Sequence, residues 1–357
     1  MSEQVMASTS GSLDAAYEGL VCDLDGVVYR GSQPLPYAVS SLSAATLARR
    51  VCFATNNASR TPEQICEQLR ALGLAVDPER VLTSAQAGAD LLAGGAPPTG
   101  PVLAVGGPGV ACALRAVGLE VTEDPDQARA VLQGWGREVR VADLAAAALA
   151  VRAGARWVAT NTDRTLPVPG GLVPGNGTLV SAVAEASGRQ PEVVGKPHPP
   201  LFRAAARRLA SRSERLLHIG DRLDTDVLGA DRVGADSLWV LGGVDGFAQL
   251  LRSPARPTYA AGDLRVLLEE PPAARVEGAV VSCRDARVAG TATGLRLTVG
   301  GRPALMTELP ANTVAALGLA LILQHRDDPE TDVTPVDRWA AELDDVLPHC
   351  AGEAGRQ

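Results

Sequence analysis

A chain of 357 residues is too long for one small domain and is expected to fold as two or three compact units. Hydrophobic residues at 46% and charged residues at 21% exclude a disordered chain, and 3% aromatics leave little material for stacking the bases of a single strand. The net charge of -8 offers no basic footprint, so nucleic acid is not an expected partner.

Along the chain, Met1 to Ala16 carries Glu3 and Asp14 and lacks an apolar core, which argues against a signal peptide. Strand-like runs then end at Cys22, Phe53, Val105, Leu132, Ala159, Ile219 and Leu241. Between them lie Ala/Leu-rich helical stretches such as Pro62–Leu72, Val141–Ala153, Pro199–Ala210 and Asp224–Val233. This alternation predicts parallel sheets with helices on their faces, an α/β fold. Glu269 to Ala274 reads as a linker, because paired prolines continue neither a helix nor a central strand. Beyond it, two strand-like runs (Val276–Ser282 and Arg287–Val299) precede two helices (Thr313–Gln324 and Pro335–Leu347), a small α+β module. The longest uncharged stretch, Leu309 to His325, is broken by Pro310, Asn312 and Gln324 and falls short of the ~20 apolar residues a membrane helix needs. A soluble cytoplasmic protein is expected.

Four segments carry chemistry. In Val21-Cys22-Asp23-Leu24-Asp25-Gly26 an apolar strand runs into two aspartates one residue apart. In a continuing strand these share a face at the sheet's C-terminal edge, where open parallel sheets place ligands. Crowded like charges there need a cation or a raised pKa, so the pair suits Mg²⁺, with one carboxylate attacking and the other handling protons. A loop of solvated acids fits this segment equally well. Thr55-Asn56-Asn57-Ala58-Ser59 follows a second strand and could donate to phosphoryl oxygens, although an ordinary helix cap explains it alone. Lysine occurs once among 33 basic residues, at Lys196 in Gly195-Lys196-Pro197-His198-Pro199. A compact point charge is what the guanidinium fork copies badly. Finally, Gly220-Asp221-Arg222-Leu223-Asp224-Thr225-Asp226 puts carboxylates after a third strand.

In this order, the four segments resemble the haloacid dehalogenase superfamily of phosphatases: D-x-D-G, Thr-Asn-Asn, Gly-Lys-Pro and G-D-R-x-x-T-D. The detail is similar to the branch holding 4-nitrophenyl-phosphate, phosphoglycolate/glycerol-phosphate and pyridoxal-phosphate phosphatases. Asp23–Gly31, Thr55–Arg60, Ala159–Asp163 and Gly195–Pro199 carry that likeness, which covers residues 17 to 268. It implies a Rossmann-like core (17–84 and 190–268), an inserted C2 cap (85–189) that selects substrate, and a C-terminal accessory module (275–350). Asp23 is then the nucleophile that forms an aspartyl-phosphate, and Asp25 the general acid and base. Mg²⁺, with Mn²⁺ or Co²⁺ as substitutes, sits on Asp23, the backbone carbonyl of Asp25 and Asp221, with Asp226 behind them. Thr55, Asn56, Asn57 and Lys196 bind the phosphoryl group, and Asn161, Thr162 and Asp163 are cap contacts, with Pro174-Gly175-Asn176-Gly177 a weaker one. Asp224 is expected to be solvated. The implied activity is hydrolysis of small phosphate monoesters, foremost glycerol 3-phosphate from glycerolipid head groups. Phosphoglycolate, pyridoxal 5′-phosphate and nucleoside monophosphates are alternatives. Caps of this family often pair into homo-oligomers. One departure is Gly136, where relatives often carry aspartate.

Other signals are weaker. Six cysteines lack a C-x-x-C pair, so neither zinc nor a disulfide framework is expected. Gly107-Pro108-Gly109 mimics a dinucleotide loop but has Cys112 at its third glycine position, and reads as a cap turn. Trp135, Trp157 and Trp239 read as packing residues, and His198 as a turn residue. Arg287 to Ala292 fits the R-x-x-G-x-A acyl-CoA pattern of acetyltransferases, which requires a strand leading into a helix. A receiver-type signalling domain combines similar residues, but in another chain order and without a large insertion.

Overall fold

The computed structural model describes residues 11–168, 170–291, 293–327 and 333–352. Most of the N-terminal segment weighed above, and Ala292 of the acyl-CoA pattern, lie outside the described residues. The chain divides into two compact units, residues 1–51 with 211–357, and residues 52–210.

In the first unit, strands Tyr259–Ala261, Asp236–Val240, Leu216–Gly220 and Gly19–Cys22 lie side by side in that order, all parallel. Every residue of Gly19–Cys22 and Leu216–Gly220 is buried, as expected of parallel strands covered on both faces. Their register pairs Cys22 with Ile219, so Asp23 and Asp221 leave adjacent strands at the same, C-terminal, edge. After Gly220 the chain makes a single π-helical turn, Leu223–Val227, before the short helix Leu228–Asp231. The sequence predicted one continuous helix over Asp224–Val233. The wider turn matches the hydrogen bonds from the Asp226 and Val227 N–H groups, which both reach Arg222 O.

The C-terminal part of this unit is a five-stranded antiparallel sheet, Ala274–Glu277, Val280–Cys283, Ala286–Thr291, Gly294–Val299 and Arg302–Pro303. Each of the two strand-like runs expected from sequence contains or meets a reversal, the first at Gly278 with φ +61°. Glycine adopts that left-handed conformation without the Cβ penalty. Helices Ala311–Arg326 and Val333–Gly352 pack on this sheet. Val314, Leu317, Leu321, Trp339 and Leu343 share one apolar core with Leu223, Val227, Trp239, Phe247 and Leu250. Trp239 meets Phe247 edge to face at 5.4 Å between ring centroids. Arg287–Thr291 lies in an antiparallel strand that pairs with Gly294–Val299. Its backbone is committed to that hairpin, which lacks the strand-to-helix turn the acyl-CoA pattern needs.

In the second unit, strand Arg50–Thr55, which begins just before it, pairs in parallel with Val81–Thr83. Helix Pro62–Ala71 is opened by a Thr61/Gln64 capping box and buries Ile65, Cys66 and Leu69. Five further parallel strands run in the order Glu192–Val193, Arg156–Ala159, Ala130–Gln133, Val102–Val105, Val121–Thr122. Helices Val141–Arg152 and Asn176–Ser187 contribute Ala147, Val151, Val180 and Val183 to a core with Val131 and Trp157. Small alanines stand where an aromatic-poor composition has little else to pack. Burial pushes the Cys52 thiol up to about 12, so it is inert at neutral pH. Cys22, Cys52, Cys66, Cys112 and Cys283 are free, and among the described residues no helix is long and apolar enough to cross a membrane.

The edge strand Glu192–Val193 is tied to its neighbour by an ion pair, Arg156 to Glu192, at 2.7 Å. The hydrogen bond from Arg156 holds the Glu192 carboxyl below its ordinary value. A depressed carboxyl stabilises the fold above its unfolded pKa, and that contribution is lost as pH falls through the folded one. Glu192→Gln should therefore lower stability by roughly 0.2–1 kcal/mol at pH 7, because the pair is exposed, and by less as pH falls to about 3.5. Urea midpoints at the two pH values check this, and an equal loss at both would contradict it.

Candidate active site

Two constellations form, one in each unit. In the first, Asp23 follows its strand directly and its N–H donates to Ile219 O at 2.8 Å, which extends the ladder by one residue. Asp23, Asp221 and Asp226 are all buried, and one carboxylate oxygen from each lies within 4.8 Å of the others. Three buried acids at that spacing repel strongly unless a cation or a proton compensates them. The cradle is shaped by glycines. Gly26 has φ +82°, and a Cβ there would stand 2.2 Å from Asp221 Oδ2. A Cβ on Gly243 would stand 1.7 Å from the same oxygen. Val244 N–H donates to Asp221 Oδ2 at 3.0 Å, and Trp239 Nε1 donates to Asp221 O at 3.1 Å. Arg222 N–H donates to Asp226 Oδ2 at 3.3 Å. The donor set, all oxygen, fits a hard divalent cation such as Mg²⁺.

The Asp25 carboxylate is not one of the three clustered acids. The strand ends at Cys22, and Asp25 is exposed on a bridge to Tyr29, with Gly26 N–H closing a turn onto Tyr29 O at 2.8 Å. The continuing strand assumed from sequence does not form, so the alternation that would put Asp23 and Asp25 on one face does not apply. Asp224 is exposed and pairs with Arg222 at 2.8 Å.

In the second unit, Asn56 is the hub. Its Oδ1 accepts from Lys196 N–H at 2.8 Å, and its Nδ2 donates to Lys196 O at 3.1 Å and to Asp163 Oδ2 at 3.2 Å. Asn56 O accepts from Asn161 Nδ2 at 2.8 Å and from Ser84 Oγ at 2.7 Å. Asn176 Nδ2 in turn donates to Asn161 O at 2.8 Å. Thr55 is buried and its Oγ1 accepts from Asn57 N–H at 3.1 Å. The Asn57 side-chain oxygen is used within its own turn, by Ser59 N–H and Oγ at 2.9 Å each. Lys196 is buried, and Gly195 beside it has no room for a Cβ, which would stand 2.3 Å from Thr160 O. Thr162 is exposed, and the glycines of Pro174-Gly175-Asn176-Gly177 back onto its carbonyl and that of Asp163. Within this unit, Asn56, Asn161, Asp163 and Lys196 are brought into one network, while the Thr55 hydroxyl is held separately by Asn57 N–H.

The glycine loop after Val105 is occupied by protein. A Cβ on Gly107 would meet Ser59 at 2.7 Å, and Gly109 N–H donates to Ser59 O at 3.1 Å. The resemblance to a dinucleotide loop comes from this docking of the Asn57–Arg60 turn. Gly136 is explained the same way, since its Cβ would stand 2.5 Å from Gly107 N. Trp157 and Trp239 are buried, and Trp135 donates to Pro174 O at 3.0 Å. Sequence reasoning missed the Gly242–Asp245 loop that cradles Asp221. Its one signal was the paired glycine directly after a strand.

A model of haloacid dehalogenase-like hydrolases matches residues 20–120, and an HAD-hydrolase-like model matches residues 193–267. The D-glycerol 3-phosphate phosphatase of Mycobacterium tuberculosis is 45% identical over 265 residues, 72% of this chain and 73% of that one. An acid sugar phosphatase of Staphylococcus haemolyticus is 33% identical over 71% of this chain and 96% of its own length. Among solved structures, a glycerol phosphate phosphatase from Mycobacterium tuberculosis in complex with magnesium aligns with TM-score 0.77 at 36% identity, covering 92% of this chain and 99% of that one. The p-nitrophenyl phosphatase from Archaeoglobus fulgidus aligns with TM-score 0.66 at 31% identity over 71% and 98%.

Gly26 and Gly31 both hold positive φ, +82° and +62°, but only Gly26 faces a neighbour. Gly31→Ala should cost about 1–2 kcal/mol of backbone strain. Gly26→Ala should cost that and roughly 1–3 kcal/mol more, because Asp221 must move. Denaturant unfolding of both variants checks the difference, and equal losses would contradict the cradle.

Proposed function

The chain belongs to the haloacid dehalogenase-like hydrolases and is a phosphoric monoester hydrolase, and from that premise we propose that it hydrolyses glycerol 3-phosphate through an aspartyl-phosphate on Asp23. The buried Asp23–Asp221–Asp226 cluster at one sheet edge is the observation that carries the reading. Asp23, the backbone carbonyl of Asp25 and Asp221 would hold Mg²⁺, with Asp226 supporting them. When bound, the ion neutralises charge on the phosphoryl oxygens and on the clustered carboxylates.

Asp23 attacks phosphorus, a P–O bond to its carboxylate forms, and the bond to the leaving alkoxide breaks. Asp25 gives the alkoxide its proton, and its exposed position lets it exchange with solvent. It then takes a proton from the water that cleaves the aspartyl-phosphate, which regenerates Asp23 and releases phosphate. Thr55, the neighbouring amides and Lys196 bind the phosphoryl oxygens, and most of the rate enhancement in phosphoryl transfer comes from such positioning and charge. Asn56 holds the Lys196 backbone at both its N–H and its carbonyl. Residues 85–189 act as the cap that selects the alcohol, with Asn161 and Asp163 as its contacts, on a core of 17–84 and 190–268. A cytoplasmic site of action and pairing through the cap belong to the same reading.

Support for the substrate comes from the relatives, a D-glycerol 3-phosphate phosphatase and acid sugar phosphatases. Phosphate release should be fastest with one glycerol 3-phosphate enantiomer, ahead of phosphoglycolate, pyridoxal 5′-phosphate and a nucleoside monophosphate, and should stop when Mg²⁺ is chelated. A preference for another panel member would overturn the substrate and keep the mechanism. Asp23→Asn should lose at least about 10³-fold in kcat with its fold intact, since the nucleophile is gone and the shape kept. Turnover near the original rate would overturn the mechanism.

A further inference from the structure

The Gly242–Asp245 loop is the outer wall of the carboxylate cluster. It presses Gly243 against Asp221, donates Val244 N–H to Asp221 Oδ2, and accepts Leu223 N–H on Asp245 Oδ2 at 2.7 Å. That last bond fixes the start of the turn that carries Asp226. Two contacts therefore tie this one loop to Asp221, and a third ties it to the turn that carries Asp226. Glycines and an exposed Val244 give the loop almost no apolar anchorage of its own.

The anchors come from outside. On one side Arg30, seven residues after the nucleophile, donates to Gly242 O and, at 3.2 Å, to Gly243 O. On the other, the loop runs into Gly246 and helix Phe247–Arg252, whose first amides are capped from the C-terminal helix. Asp344 Oδ1 accepts from Phe247 N–H at 2.7 Å and Oδ2 from Ala248 N–H at 3.1 Å. Gly246 has no room for a Cβ, which would stand 2.5 Å from Asp344 Oδ1. A charged acceptor taking two amides at a helix start is a strong, directional restraint, worth more than a neutral hydrogen bond. Phe247 then locks into the core between Trp239 and Gly318. Partial burial raises the Asp344 carboxyl above its ordinary value while the two amides oppose that, as for a half-buried acceptor held in place by its donors.

We infer that Asp344 is a positioning residue for the metal site: the C-terminal module holds the Gly242–Asp245 loop, and through it Asp221, in the geometry that binds the divalent cation. The module is thereby a working part of the catalytic unit and needs no ligand of its own. The inference rests on the magnesium assignment proposed above.

The test is Mg²⁺ titration by calorimetry of the full chain, with Asp344→Ala, Asp344→Asn and, as a control, Asp337→Ala. Asp337 makes the exposed pair with Arg252 between the same two helices but touches nothing in the loop. Asp344→Ala should weaken Mg²⁺ by about 10-fold, the lower end of what outer-shell losses cost metal sites. Its kcat at saturating Mg²⁺ and its KM for substrate should stay within about twofold. Asp344→Asn, which keeps a carbonyl acceptor for one amide, should fall between, and Asp337→Ala should match the unmodified protein. If Asp344→Ala does not fold, Asp344→Asn with hydrogen exchange at residues 242–248 decides, since exchange there must rise and Mg²⁺ must restore it. A folded variant with unchanged Mg²⁺ affinity, or unchanged exchange, overturns the inference. No Mg²⁺ binding by the unmodified protein would instead sink the magnesium assignment.

Discussion

Electrostatic repulsion among three buried carboxylates is the constraint on which the rest of the site depends. Asp23, Asp221 and Asp226 stand together because two adjacent parallel strands end in the same register and the chain then turns tightly. Taking such charges out of water costs several kcal/mol each unless something compensates them. A bound cation or a proton can compensate them, and the all-oxygen donor set suits a hard divalent cation. The glycines at 26 and 243 and the amide of Val244 are the local means by which it is held.

The second unit solves a different problem, how to hold one buried lysine on rigid backbone. Asn56 does so by bonding the Lys196 peptide at both ends, while its own carbonyl is fixed by Asn161 and Ser84. Glycines at 107 and 109 let the Asn57–Arg60 turn seat closely against the loop that follows Val105. Asn56, Asn161, Asp163 and Lys196 thus share one hydrogen-bonded network, so that moving any one of these side chains disturbs the backbone that carries the lysine.

Much of this was legible in the sequence. The ends of the strands at Cys22, Val105 and Ala159, and the helices at Pro62 and Val141, followed from apolar runs and caps, which are local signals. The clustering of Asp23 with Asp221 followed from motif order. What escaped was set by non-local packing. The π-helical turn at Leu223–Val227 and the reversal at Gly278 depend on backbone geometry that composition does not announce. Gly136 looked like a lost side chain, and it is a close approach between two loops far apart in sequence. Asp344 lay in a helix about a hundred residues from the loop it caps, where no spacing rule could reach it.

The most direct test of the carboxylate account is thermal unfolding in chelator and at rising Mg²⁺, for the unmodified protein and for Asp221→Asn. Ligand that binds only the folded state raises Tm with concentration. The account expects Tm of the unmodified protein to climb with Mg²⁺ while that of Asp221→Asn stays flat, the cluster having lost one charge. A flat response from the unmodified protein, or a parallel climb in both, would contradict it.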